Sequence, residues 1–290
     1  MPLEMPGAHQ TLISADELHA HLGQPDWAIL DCRFDLASPD SVAQSVYPAG
    51  HIPGAHFADL ERDLSGLPTG SNGRHPLPEP GQLVARFGAW GIGPACQVVV
   101  YDDNSGYAAR AWWCLRYMGH MAVAVLDGGL PAWVERGHPL RSGIEPQAPR
   151  TFEGRPNPEL VLQLQDVPSS ARLLDARAPE RFRGEVEPID RVPGHIPGAR
   201  SYPWATSLGS DGNHLPAAQL RRQLLTALDG VHSSAAVAYC GSGVTACNLI
   251  LAMEHVGLTG MRLYPGSWSE WCSDPRRAVE IGDPQATKAD

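Results

Sequence analysis

A chain of 290 residues with 43% hydrophobic and 19% charged side chains is long enough for two soluble domains of roughly 100–200 residues each. Its 22 basic and 32 acidic side chains give a net charge of −10. That sign is wrong for nucleic-acid phosphates or an anionic membrane surface, although a local cluster can still oppose it and hold a small anion.

No stretch approaches the roughly 20 apolar residues of a membrane span. Residues 1–14 have neither the cationic start nor the apolar run of a secretion leader, so the expected location is the cytoplasm. The six cysteines, Cys32, Cys96, Cys114, Cys240, Cys247 and Cys272, are too sparse for a disulfide scaffold and form no CxxC pair, so a structural zinc site is not expected, and no ligand cluster suggests another metal or an organic cofactor. Disorder is expected only after Asp283.

In chain order, Ser14 and Glu17 form a capping box ahead of Leu18 and Leu22, which predicts a helix start. An apolar run from Trp27 ends in Asp31-Cys32-Arg33. Gly50-His51-Ile52-Pro53-Gly54-Ala55 follows, then a buried-strand run, Val98 to Asp102. A Ser-Gly turn leads into a helical segment from Ala108 to Met118, and Val123 to Gly129 reads as a further strand and turn. The Pro- and Gly-rich stretch 141–158 reads as a linker. The series then repeats: Ala171 to Asp175-Ala176-Arg177, a letter-for-letter Gly194-His195-Ile196-Pro197-Gly198-Ala199, Ala236 to Cys240, a helical segment from Val244 to Val256, and a strand and turn from Met261 to Gly266. A helix opening at Pro216 places Leu220, Leu224, Leu225 and Leu228 on one face. Strands alternating with helices predict an α/β fold in each half, a parallel β-sheet flanked by helices. The predicted domains are 1–140 and 159–290.

The segment Tyr239-Cys240-Gly241-Ser242-Gly243-Val244-Thr245 carries chemistry. In a parallel sheet, ligands bind beyond the carboxyl ends of the strands. Glycines at 241 and 243 allow a loop whose N–H groups turn inward as an anion nest, and the following helix adds positive potential. A cysteine held there is expected to have a depressed pKa and to exist as thiolate, and the same donors suit a persulfide anion. A Cys-x5-Arg phosphatase is disfavoured because Ala246 stands where the arginine would be.

Cys240-Gly241-Ser242-Gly243-Val244-Thr245-Ala246 resembles the active-site loop of the 3-mercaptopyruvate sulfurtransferases of the rhodanese superfamily, and the doubled Gly-His-Ile-Pro-Gly-Ala resembles that superfamily's other signature. The likeness runs from about Leu12 to about Asp283. It implies two rhodanese domains, the second catalytic through Cys240. Asp102 stands where the repeat places Cys240, so the first domain is expected to be inert, whereas intact Cys240 argues against a purely non-enzymatic module.

The family's donor is an anion, and its arginine before an aromatic residue corresponds to Arg181-Phe182. The second arginine falls nearest Arg191, one residue off the commonest spacing, with Arg183 as another candidate. Gly241, Gly243, Val244 and Thr245 are expected to contact the substrate. Thiosulfate-preferring relatives carry basic residues where this chain has Gly241 and Ser242, so the neutral loop points to 3-mercaptopyruvate, with thiosulfate as the alternative donor. A Ser–His–acid relay would use Ser242 and His75, with Glu61 or Asp63 as the acid. His51 and His195 read as structural, because an active and an inactive half share them. Cys247 reads as a packed cysteine or a resolving thiol, and Trp268 and Trp271 as core or cleft-wall aromatics. The expected acceptors are a thiol, a thioredoxin-like protein among them, or cyanide.

Overall fold

The computed structural model describes residues 7–283; the tail expected to be disordered lies outside them. Two compact units are present. The first comprises residues 7–66, 77–157 and 210–213, and the second comprises 67–76, 158–209 and 214–283. Segment 67–76 therefore packs with the second unit, although its place in the chain is within the first half.

The first unit holds a five-stranded parallel sheet of β1 (Leu12–Ile13), β2 (Trp27–Asp31), β3 (Ala55–Phe57), β4 (Gln97–Tyr101) and β5 (Val123–Leu126), in the order β1-β5-β4-β2-β3. The second holds β6 (Arg172–Asp175), β7 (Arg200–Ser201), β8 (Ala236–Tyr239) and β9 (Arg262–Leu263), in the order β7-β6-β8-β9, also parallel. The orders match strand for strand, and a lone parallel bridge from Val161 to Leu263 stands where β1 pairs β5. β4 and β8 are buried along their whole length, as their continuous apolar runs require.

Local signals hold in detail. The Ser14 hydroxyl accepts the Glu17 N–H at 3.3 Å and the Glu17 carboxylate accepts the Ser14 N–H at 3.1 Å, opening a helix over Ala15–Ala20. The helix Ala217–Leu228 buries Leu220, Leu224 and Leu228. Leu225, assigned to the same face by spacing, is exposed instead, because it lies 100° further round the helix than Leu224. Residues 141–157 are packed on the first unit rather than strung as a free linker: the Arg141 and His51 backbones bridge, and the Arg150 N–H reaches the Gly88 carbonyl at 2.9 Å.

The duplicated Gly-His-Ile-Pro-Gly-Ala turns are clamps. Each histidine is fully buried, donates from Nδ1 to a carbonyl (Tyr47 at 2.9 Å, Phe182 at 2.8 Å) and stacks on that residue's ring. The Ile52 and Ile196 N–H groups donate to the Tyr101 and Tyr239 hydroxyls at 3.1 and 3.3 Å. The Asp-x-Arg repeats complete the arrangement. Arg177 pairs with Asp175 at 2.7 Å and donates to the Gly194 carbonyl at 2.7 Å, and Arg33 does the same with Asp31 and Gly50. Buried charges are tolerated only when paired in this way. The arrangement fixes the carboxyl ends of the central strands in both units, which is where the loops begin.

Candidate active site

Cys240 directly follows β8, and its side chain is nearly buried. The loop after it leads to the helix Ala246–His255. Gly243 has φ of +75°, and a β-carbon there would collide with the Pro265 carbonyl oxygen and lie 2.9 Å from the Pro265 Cα. Three backbone groups of Cys240 and Gly241 are tied to the turn that follows β9. The Cys240 N–H donates to Ser267 Oγ at 3.1 Å, the Cys240 carbonyl accepts the Trp268 N–H at 3.0 Å, and the Gly241 carbonyl accepts the Ser269 N–H at 2.9 Å.

The first unit shows what such a loop holds. Asp102 follows β4 as Cys240 follows β8, and Ala108 opens its helix as Ala246 does, each pair 138 residues apart. The Asp102 carboxylate accepts the N–H groups of Asn104 at 2.8 Å, Tyr107 at 2.6 Å and Ala108 at 2.7 Å. Burial nevertheless pushes its pKa up to about 6. In the second unit the corresponding N–H groups, those of Ser242, Thr245 and Ala246, donate to no group among the described residues. One loop is filled by its own carboxylate, and in the other the corresponding donors have no acceptor among the described residues.

Two guanidinium groups lie over the loop. The atoms nearest to where a Gly241 β-carbon would sit are Arg74 Nη2 at 3.1 Å and Arg181 Nη1 and Nη2 at 3.6 and 3.7 Å. Arg181 is held by Glu187 at 2.7 Å and Asp190 at 3.0 Å, and Arg74 by Asp190 at 2.6 Å. Burial pushes the Glu187 carboxyl up, but the hydrogen bonds from Arg181 and the Asp190 N–H outweigh it and hold the carboxyl below its ordinary range. Arg181 Nη1 and Arg74 Nη2 accordingly have no acceptor among the described residues, and Arg74 Nε is buried without one. Such donors suit the oxygens of an anion. Arg191 is exposed and makes no ion pair among the described residues, and Arg183 is paired with Glu185 at 2.7 Å, so neither joins this pair.

His75 Nδ1 lies 2.8 Å from Ser242 Oγ, and both are buried. The two acids considered with them belong to the first unit. There Glu61 is exposed, and the Asp63 carboxylate accepts from Arg86 at 2.8 Å and from the Asp59 N–H at 2.9 Å. Burial pushes the Asp63 carboxyl up. Among the described residues no group of His, Cys, Asp or Glu is placed to hold a metal ion.

A family model described as Rhodanese-like domain matches residues 14–136 and again 157–274. The chain belongs to the rhodanese family, as a tandem-domain sulfurtransferase. Among its relatives is a probable 3-mercaptopyruvate sulfurtransferase of Pseudomonas aeruginosa, 50% identical over 94% of this chain and 98% of that protein. A putative thiosulfate sulfurtransferase of Mycobacterium tuberculosis is 43% identical over 94% and 98%. The solved 3-mercaptopyruvate sulfurtransferase from Escherichia coli, with a TM-score of 0.76 and 34% identity, covers 90% of this chain and is itself covered to 99%.

In this tandem sulfurtransferase two neighbours of the loop escaped the sequence reading. Arg74 lies beside His75, which the sequence reading named, but its place depends on an ion pair to a residue 116 positions away. Ser267 is aligned with Gly129 by the repeat, and the mismatch of Ser for Gly at a turn was the available signal. Cys247 is fully buried in the helix, its thiol 3.4 Å from the Gly243 carbonyl, as a packed cysteine would be. Trp268 is fully buried, with the Arg177 guanidinium 4.9 Å above its ring.

Proposed function

We propose that the protein transfers sulfane sulfur from 3-mercaptopyruvate to a thiol or cyanide through a persulfide on Cys240. The observation that carries this reading is the contrast between the two loops: three N–H groups satisfy the Asp102 carboxylate in one, and their counterparts beside Cys240 are left for an anion. The Cys240 thiolate attacks the donor sulfur. The C–S bond breaks, its electron pair leaves as the enolate of pyruvate, and the enolate takes up a proton. An acceptor nucleophile then attacks the terminal sulfur and regenerates the thiolate, a double displacement with a covalent intermediate.

Arg181 and Arg74 receive the donor's carboxylate with the N–H groups their internal carboxylates leave unused. The Gly241, Gly243, Val244 and Thr245 backbone lines the donor. Ser242, hydrogen-bonded to His75, donates to the developing enolate oxygen, where a preformed donor is most effective. A thioredoxin-like dithiol is a suitable acceptor. The cytoplasm is the compartment in which six free cysteines stay reduced, and no helix of the described residues is long and apolar enough to cross a membrane.

The Arg74 guanidinium also favours a second reading, thiosulfate as donor, because it supplies beside Gly241 the positive charge that the loop itself lacks. Steady-state turnover with each donor separates the two. The expected result is a kcat/KM for 3-mercaptopyruvate at least about tenfold above that for thiosulfate, roughly one hydrogen bond's worth of discrimination. The reverse order would transfer the assignment to thiosulfate. Arg74→Met is expected to raise the KM for the better donor about tenfold with little change in kcat, since Arg74 holds the anion and not the sulfur.

A further inference from the structure

The turn after β9 presents a serine in a conformation that serine avoids. Ser267 has φ of +54° and is fully buried. Left-handed backbone of this kind is open to glycine and unfavourable for a residue with a β-carbon. The first unit has a positive φ at the equivalent place, with Gly129 at +59°, although the residue before it differs, Gly128 being left-handed and Gly266 right-handed. The equivalence is secured on both sides. Trp133 lies four residues after Gly129 as Trp271 does after Ser267, and the Leu130 N–H donates to the Asp102 carbonyl at 2.7 Å as the Trp268 N–H does to the Cys240 carbonyl at 3.0 Å. The fold thus requires the positive φ in both units, and the inert unit meets it with the residue that adopts it freely.

The serine hydroxyl does what glycine cannot. Ser267 Oγ accepts the Cys240 N–H at 3.1 Å while donating to the Tyr264 carbonyl at 2.9 Å. A second difference runs the same way. Ser269 gives its N–H to the Gly241 carbonyl at 2.9 Å, whereas the first unit has Pro131 at that position, which has no N–H to give. Of the three ties between turn and loop, only the Trp268 one has a counterpart in the unit without the cysteine. The two extra ties hold the peptide group that precedes Cys240 and the one that follows Gly241.

We propose that Ser267 is a positioning residue for sulfur transfer, retained against its backbone preference because its hydroxyl fixes the peptide that carries Cys240. This rests on the reading of Cys240 as the persulfide carrier. Ser267→Gly is the decisive variant, since it copies the first unit and relieves the left-handed strain while removing the hydroxyl. In the full chain, Ser267→Gly is expected to keep a melting temperature within a few degrees of the parent, to lower kcat about 10- to 100-fold, and to leave the donor KM within about twofold. Ser267→Ala keeps the strain as well as losing the hydroxyl, so it is expected to show the same loss of kcat with a lower melting temperature. Parent-like kcat in a folded Ser267→Gly protein overturns the proposal, and so does a loss that lies wholly in KM. Cys240→Ser run alongside keeps the two claims apart: if it is inactive while Ser267→Gly is fully active, only the role of Ser267 falls; if Cys240→Ser itself turns over, the carrier assignment falls.

Discussion

Cys240→Ser is expected to reduce sulfur transfer from either donor by at least about a thousandfold, to the assay background, while the protein remains folded. The chemical reason is specific to sulfur. A serine hydroxyl is scarcely ionised at neutral pH and forms no stable oxygen analogue of a persulfide, so the covalent half-reaction has no substitute. The structural reason for retained folding lies in the loop. Cys240 is nearly buried, and the oxygen of a serine there requires a partner or costs about 1–3 kcal/mol. The N–H groups of Ser242, Thr245 and Ala246, without acceptors of their own, are suited to serve that oxygen as their counterparts serve the Asp102 carboxylate. A cooperative melt close to the parent's, together with no turnover, is the expected pair of results. Substantial turnover in the serine variant would move the nucleophile elsewhere in the chain.

Gly243→Ala has the second largest expected effect, and it works through the backbone. Position 243 lies at φ of +75°, where a β-carbon is strained whatever the space, and this β-carbon would also meet the Pro265 carbonyl. The strain costs about 1–3 kcal/mol before any collision is counted. Relief requires the loop to flip out of the conformation that leaves its N–H groups available. Activity is therefore expected to fall at least about a hundredfold, with a loss of stability of about 2–4 kcal/mol. Gly241→Ala is the internal control. A β-carbon there meets only the ends of the Arg74 and Arg181 side chains, which can move, so the fold should persist and donor KM should carry the change. Equal effects of the two substitutions on stability, read from urea melts, would contradict the role given to the loop's conformation.

The duplication made the architecture legible in the sequence. Six identical letters recurring 144 residues apart, from 50 to 194, bring the flanking strands into register. The apolar runs ending at Tyr101 and Tyr239, 138 residues apart, then expose Asp102 as the residue in the place of Cys240. The capping box at Ser14 and the buried runs ending at Tyr101 and Tyr239 are local features, and local physics determines them. What stayed hidden depends on contacts far apart in the chain. Arg191, one residue off the commonest spacing, is exposed, and the second guanidinium over the loop comes from Arg74, through its ion pair to Asp190. No periodicity reports that residues 67–76 pack with the second unit. Leu225 failed for a simpler reason: a four-leucine face is wider than the strip the helix buries. Ser267 lay within reach, because a serine opposite a glycine in a turn that Gly128 and Gly266, and Trp133 and Trp271, align is visible before any coordinates, although its hydrogen bond to the Cys240 N–H is not.

Intact-mass and peptide mass measurement after incubation with 3-mercaptopyruvate, with acceptor withheld, tests the central claim most directly. A persulfide adds one sulfur atom, about 32 Da, that a reductant removes. The expected result is a single addition on the peptide containing Cys240, lost on adding a thiol or cyanide and absent in Cys240→Ser. An equal addition on Cys247 or Cys272 with Cys240 unmodified, or turnover with no covalent addition to the chain, would contradict it.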